Sequence, residues 1–170
     1  MAATVTFAGT IKTTLTGTFA NALDLTTVED KLSKILTTAF TSGTGANKAQ
    51  VLFSDERTLL TTTDETLDLM ALTSAFGVTT LSKIKAIVVS VVTLSNGYRL
   101  QIGGAAANAV SGFFVDPGDI LEVQAGSTLV LTAPVNGYAV DATHKDLKIS
   151  NPSGGSVTYD IYLIGEGSVA

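Results

Sequence analysis

Apolar and polar positions alternate along much of this chain, and threonine fills many of the polar ones. Thr4-Val5-Thr6-Phe7 and then residues 11–19 interleave apolar side chains with threonine. Threonine is branched at Cβ, which makes it stiff and suits it to a pleated, half-exposed surface. A period of two here predicts one or two strands, or an extended arm, within residues 1–25. The next stretch carries two patterns at once. Thr26 with Glu29 has the form of a capping box, and Val28, Leu32, Ile35 and Leu36 share a face at helical spacing. The threonine-rich run Ile35-Leu36-Thr37-Thr38-Ala39-Phe40-Thr41 reads as a strand. The expectation is a short helical turn over 27–33 running into a strand over 35–41.

Beyond the turn Gly43-Thr44-Gly45-Ala46-Asn47, short segments alternate with turn signals. Strands are predicted over 49–53, 57–60, 66–69, 83–92, 98–102, 120–123, 128–132, 138–140, 147–149 and 157–164. Ser54-Asp55-Glu56-Arg57 reads as a connecting segment with a local ion pair. Asn96-Gly97, between the apolar runs 91–94 and 98–102, is the strongest short-range hairpin signal. Pro117-Gly118, Ala125-Gly126, Asn136-Gly137 and Asn151-Pro152 punctuate the later strands. Many short strands without a βαβ rhythm or fixed-period repeat predict an all-β protein. The fold expected is an antiparallel β-sandwich, jelly-roll-like, in a single domain. A strand or arm would occupy 1–25 and the sandwich 26–170, with room for one short helix.

Composition narrows the classes of partner. At 170 residues, 45% hydrophobic and 15% charged, the chain belongs with folded proteins that bury a real core. A mean hydropathy of +0.39 is high for a soluble monomer. The longest apolar stretch, Ile87-Val88-Val89-Ser90-Val91-Val92, is far short of the roughly 20 residues of a membrane helix. The surplus points to burial against other subunits, or to a large sandwich core, with no membrane partner. A net charge of −5, with Lys12, Lys31, Lys34, Lys48, Lys83, Lys85, Lys145 and Lys148 scattered, forms no basic stripe for nucleic acid. There is no cysteine for disulfides or thiolate metal sites, and Met-Ala-Ala-Thr-Val-Thr-Phe lacks the pattern of a secretory signal. Both fit synthesis in a reducing cytoplasm.

Residues that usually do chemistry are scarce. His144, the single histidine, lies between Asp141 and Asp146. A hydrolytic triad needs a nucleophile on a shaped turn, yet no Gly-x-Ser-x-Gly is present and Ser150 or Ser153 would have to serve from a plain loop. A solvated loop histidine is the expected outcome. The paired acids Glu29-Asp30, Asp55-Glu56 and Asp64-Glu65 make no glycosidase dyad by themselves, since strand neighbours point to opposite faces. Asp116-Pro117-Gly118-Asp119 could hold calcium but reads better as a Pro-Gly turn. Gly103-Gly104-Ala105-Ala106-Ala107-Asn108-Ala109 lacks the Lys-Ser/Thr of a phosphate loop and suits a tight crossing against another backbone. Phe113-Phe114-Val115 is either core or, where exposed, the best contact patch, so these three are the interface candidates. No catalytic, metal or cofactor-binding residue is assigned, and no enzyme activity or cofactor is expected.

Three stretches together resemble small structural proteins of tailed bacteriophages. They are Thr41-Ser42-Gly43-Thr44-Gly45-Ala46-Asn47-Lys48-Ala49 with Phe53-Ser54-Asp55-Glu56-Arg57-Thr58-Leu59, then residues 103–109, and Val157-Thr158-Tyr159-Asp160-Ile161-Tyr162-Leu163-Ile164-Gly165. Glu65-Thr66-Leu67-Asp68-Leu69 and Ile84-Lys85-Ala86-Ile87 extend the likeness, which spans about residues 41–165. The resemblance implies a capsid decoration, or cement, protein on the exterior of the virion, made in the bacterial host's cytoplasm. It implies a β-sandwich or jelly roll, a homo-oligomer (a trimer) seated where capsomers meet, and the major capsid protein as partner. No site residues come with it. The alternative is a receptor- or carbohydrate-binding module of a phage tail fibre or spike.

Overall fold

A computed structural model describes residues 6–170, and among these there is no helix. Of the first predicted strand, Thr4 and Val5 lie outside the described residues. Two long strands, β1 (Gly9–Ala22) and β2 (Thr27–Ser42), form an antiparallel hairpin that precedes the sandwich. Then follow β3 (Lys48–Ala49), β4 (Val51–Leu59), β5 (Asp64–Asp68), β6 (Leu72–Ser74) and β7 (Gly77–Val91). The remainder are β8 (Arg99–Gly103), β9 (Ile120–Gln124), β10 (Thr128–Thr132), β11 (Tyr138–Ala139), β12 (Asp146–Ser150) and β13 (Val157–Val169).

Two antiparallel sheets make the body. One runs β10-β7-β13-β4, with β6 and β11 also pairing with β7, and the other runs β5-β12-β8-β9. Alternation explains how they face each other. In β13, Val157, Tyr159, Ile161 and Leu163 point inward and are fully buried. From the other sheet Leu100, Ile102, Leu147 and Ile149 meet them in one continuous core. The architecture is that of an all-β sandwich.

Side-chain hydrogen bonds secure the end where a sheet change occurs. Buried Asn151 donates from Nδ2 to the carbonyls of Leu59 (3.1 Å), Leu60 (3.0 Å) and Gly155 (2.8 Å). Its Oδ1 accepts the Ser153 amide at 2.9 Å. Asn151→Ala removes the donor and the acceptor together, so a loss of about 2 kcal/mol is expected. Urea unfolding with an unchanged slope checks it.

Three local expectations are corrected. Residues 27–33 are strand, continuous with 35–41, because β2 pairs with β1 from Thr27 to Phe40 without interruption. Asn96-Gly97 does turn the chain, with Gly97 at φ 81° and the Tyr98 amide on the Ser95 carbonyl, but it does not close a hairpin. It carries the chain from β7 in one sheet to β8 in the other. Ser54-Asp55-Glu56-Arg57 is the middle of β4 and connects nothing.

Candidate interaction site

The hairpin is the feature with the fewest partners of its own. Among the described residues β1 pairs only with β2, and the one further strand that β2 pairs with is β3, in parallel through Thr41 and Ser42. With 14 residues in β1, the ribbon is about 45 Å long. The expected boundary at residue 25 falls at its tip, where the Leu23 amide meets the Thr26 carbonyl.

Register and alternation sort its side chains into two unlike faces. Ile11, Leu15 and Phe19 of β1 fall on the same face as Val28, Leu32, Leu36 and Phe40 of β2. The other face carries Thr10, Lys12, Thr14, Thr16 and Thr18 beside Lys31, Ser33 and Thr37, with Ile35 its one large aliphatic residue. The apolar face is mostly open: Phe19 is 80% and Leu15 58% exposed, and Val28, Leu32 and Leu36 are exposed as well. A two-stranded ribbon is marginal by itself in water, and a contiguous apolar face of this length marks a contact surface.

The root is fixed where the tip is not. Phe40 is buried against Ala49, Ala86 and Ile164 on the outer side of the larger sheet, with Phe7 and Ile11 packed alongside. Beneath it sits a buried ion pair. The register between β7 and β13 steps from Ala86↔Ile164 to Ile84↔Gly165, so Lys85 is the extra residue of a bulge, and its side chain is buried beside the turn at Gly45. Gly165 is required at the step, because a Cβ there would lie 2.0 Å from the Lys83 carbonyl oxygen. The Lys85 side chain is 0% exposed and its Nζ lies 3.0 Å from Glu166 Oε1. Nζ also donates to the carbonyls of Gly45 (3.1 Å) and Val135 (3.0 Å). Glu166 Oε1 accepts the Gly45 amide at 2.9 Å, and the Asn47 amide donates to the Pro134 carbonyl. The turn below the arm is thereby fastened to the sheet.

Burial by itself would raise the Glu166 carboxyl, but the Gly45 amide and the Lys85 ammonium outweigh it and hold the group below its ordinary 4.5. A carboxylate lowered in the fold adds stability above its unfolded pKa and loses it as the pH falls through the folded value. The stability gap between the wild type and Glu166→Gln is therefore expected to narrow on acidification below about pH 4.5. Chemical unfolding at pH 7 and pH 3 measures that gap.

The interface candidates divide. Phe113 and Phe114 pack against the core, Phe113 lying 4.6 Å from the Phe114 ring centre and 5.2 Å from that of Tyr138. Val115 is 102% exposed. The small run 103–109 does lie against another backbone: a Cβ on Gly103 would stand 2.4 Å from the Asp119 carbonyl oxygen and 2.8 Å from the Phe114 ring.

The candidate chemical groups are occupied locally. Asp119 Oδ2 accepts the Val115 and Asp116 amides, and Asp116 Oδ1 accepts that of Gly118, so both carboxylates close their own turn. Among the described residues no group of three or more His, Cys, Asp or Glu is placed to hold a metal ion. Half-buried His144 has Nδ1 3.1 Å from Asp141 Oδ1. Asp141 is pulled down to about 2, first by the Thr143 hydroxyl, then by the Thr143 amide and His144. Ser153 is buried, with Oγ accepting the Arg99 amide at 2.9 Å and donating to the Arg99 carbonyl at 3.2 Å.

A further side-chain cluster, at Arg57, Glu65 and Tyr159, closes one side of the sandwich. Arg57 of β4 donates from Nε to Glu65 Oε2 of β5 at 2.7 Å and from Nη1 to Asp55 at 2.7 Å. The buried Tyr159 hydroxyl donates to Glu65 Oε1 at 2.7 Å. The expected local pair with Asp55 is present, but Glu65 joins strands at the edges of two different sheets. Burial, followed by Glu65, drives the Tyr159 phenol far above its ordinary value.

Comparison with protein-family models and with curated proteins gives no match for this chain.

Proposed function

We propose that the protein is a structural component of a tailed-phage virion, a decoration or cement protein that binds the assembled capsid at junctions between capsomers. The observation that carries this reading is the hairpin arm, whose apolar face lies open while its root is buried and ion-paired. Cementing requires contact beyond the molecule's own footprint. A rigidly rooted ribbon about 45 Å long lets a protein seated on one capsomer reach what sits on the next. The outer edge of β1 also leaves backbone groups unpaired among the described strands, which suits strand addition by a neighbour. The partners proposed are the major capsid protein and further copies of this chain, a trimer gaining avidity from several weak contacts. A ligand that binds the assembled shell stabilises it by mass action.

Substitution on the arm separates this role from folding. Leu15→Ser, Phe19→Ser and Leu32→Ser combined replace exposed side chains, so the body's unfolding free energy is expected to stay within about 1 kcal/mol of wild type. Co-sedimentation with purified shells is expected to fall at least tenfold. Undiminished binding by the triple variant would remove the arm from the mechanism.

A further inference from the structure

The apolar face of the arm has a pattern that reads the same from both ends. Along β2 that face runs Val28, Asp30, Leu32, Lys34, Leu36, and the register sets Leu32 opposite Gly17. Along β1 it runs Thr13, Leu15, Gly17, Phe19, Asn21. About the Gly17–Leu32 pair, apolar positions mirror apolar ones: Val28 with Leu36, and Leu15 with Phe19. Polar Thr13 mirrors Asn21. The one asymmetric exchange is Asp30 with Lys34, and there the two charges are opposite.

From this we infer that the arm docks face to face, antiparallel, on the arm of a second copy about a two-fold axis at the Gly17–Leu32 level. Such an axis lies between the ribbons and across the strands, so it places each residue over its mirror position in the other copy. Leu15 meets Phe19 of the second copy, Val28 meets Leu36, and Leu32 meets Leu32. Asp30 lies over Lys34 and Lys34 over Asp30, giving two intermolecular ion pairs. Within one chain these two residues are about 13 Å apart along the strand. Neither takes part in an ion pair among the described residues. At the centre, a Cβ on Gly17 would meet nothing within 4 Å, so the glycine leaves open space for the flanking side chains.

Size sets the strength. An axis at Gly17 overlaps residues 12–22 of β1 with their mirror positions, a patch about 36 Å by 10 Å that buries about 360 Å² on each copy, or about 720 Å² in all. That is below the roughly 1,200–2,000 Å² of stable specific complexes. The contact is therefore reversible in dilute solution and is driven by the high local concentration of copies held on one shell. In the decoration reading, paired arms join neighbouring molecules into a net. The pairing itself needs no shell, so it is tested without one.

The natural chain has no cysteine, which makes single-site cross-linking clean. Leu32→Cys is expected to give a covalent dimer under mild oxidation, while Ser33→Cys, on the opposite face, stays mostly monomeric at the same concentration. In the Leu32→Cys background, Asp30→Lys or Lys34→Asp alone sets like charges over each other, and the cross-linked fraction is expected to drop about tenfold. Mixing those two charge variants pairs lysine with aspartate at both positions and is expected to restore the dimer, as a hetero-pair resolved by a mass tag. Equal cross-linking at 32 and 33, indifference to the charge reversals, or no recovery on mixing overturns the inference. So does an arm that is protected on shells while Leu32→Cys molecules bound to the same shells do not cross-link, since the capsid protein is then its occupant. Shells stabilised without arm pairing would sink the pairing and spare the decoration role, and the reverse outcome would do the opposite.

Discussion

Glu166→Ala is expected to cost about 3–5 kcal/mol and lower the melting temperature by about 10 °C or more. The side chain it removes is the only carboxylate paired with Lys85 among the described residues, and the Lys85 side chain has no exposure to water. An ammonium left in that position keeps two carbonyl partners but no compensating charge. The same substitution deprives the Gly45 amide of its acceptor, so the loss falls on the turn that roots the arm. Replacing the pair together, Lys85→Met with Glu166→Gln, leaves no stranded charge, and a much smaller loss is expected. Calorimetry on the wild type and these two variants distinguishes a stranded charge from a generic packing defect. If Glu166→Ala and the double variant melt alike, the ion pair is not what holds this corner.

Glu65→Leu is expected to cost about 2–4 kcal/mol. Two donors lose their acceptor at once: the Arg57 guanidinium and the Tyr159 hydroxyl. Arg57 keeps Asp55 and is a third exposed, which limits its share, whereas Tyr159 is buried completely. The phenol also supplies a signature in alkali. Its folded pKa lies above its unfolded one, so stability is whole below about pH 10 and declines as the pH rises past that point. Tyr159→Phe has no phenol to ionise, and its stability is expected to vary less than the wild type's between pH 9 and 11, as measured by urea unfolding. Equal slopes would show that the hydroxyl does not stay protonated in the fold.

Most strands were legible because alternation is a local signal. Val157, Tyr159, Ile161 and Leu163 declare a buried face with no knowledge of what covers it. Residues 27–33 failed as a strand prediction for a specific reason. Val28, Leu32 and Leu36 recur every fourth position, which puts them on one side of a helix and equally on one side of a strand. Ile35, on the opposite face of the ribbon, was the residue that fitted only the helix. Asn96-Gly97 signalled its turn correctly, but sheet membership depends on which distant strands pair, and Val91 bonds to Ser127 while Arg99 pairs with Gln124.

The site was less legible than the fold. Phe113, Phe114 and Val115 were singled out for their size, and the two rings lie on the core. The exposed apolar face instead comes from side chains dispersed over residues 11–36, brought together by a register that no local motif encodes. Lys85 did leave a trace in the sequence, as a cation inside the apolar run Ile84-Lys85-Ala86-Ile87. A charge within a buried strand calls for a partner, but Glu166 is 81 positions away and only the β7–β13 pairing reveals it.

Purified capsid shells, heated with and without added protein, test most directly whether the open face of the arm serves to hold a shell together. The wild type is expected to raise the rupture temperature, and the Leu15→Ser, Phe19→Ser, Leu32→Ser variant, folded as before, is expected to leave it where bare shells rupture. An equal rise with both proteins, or no rise with the wild type, would contradict the proposal.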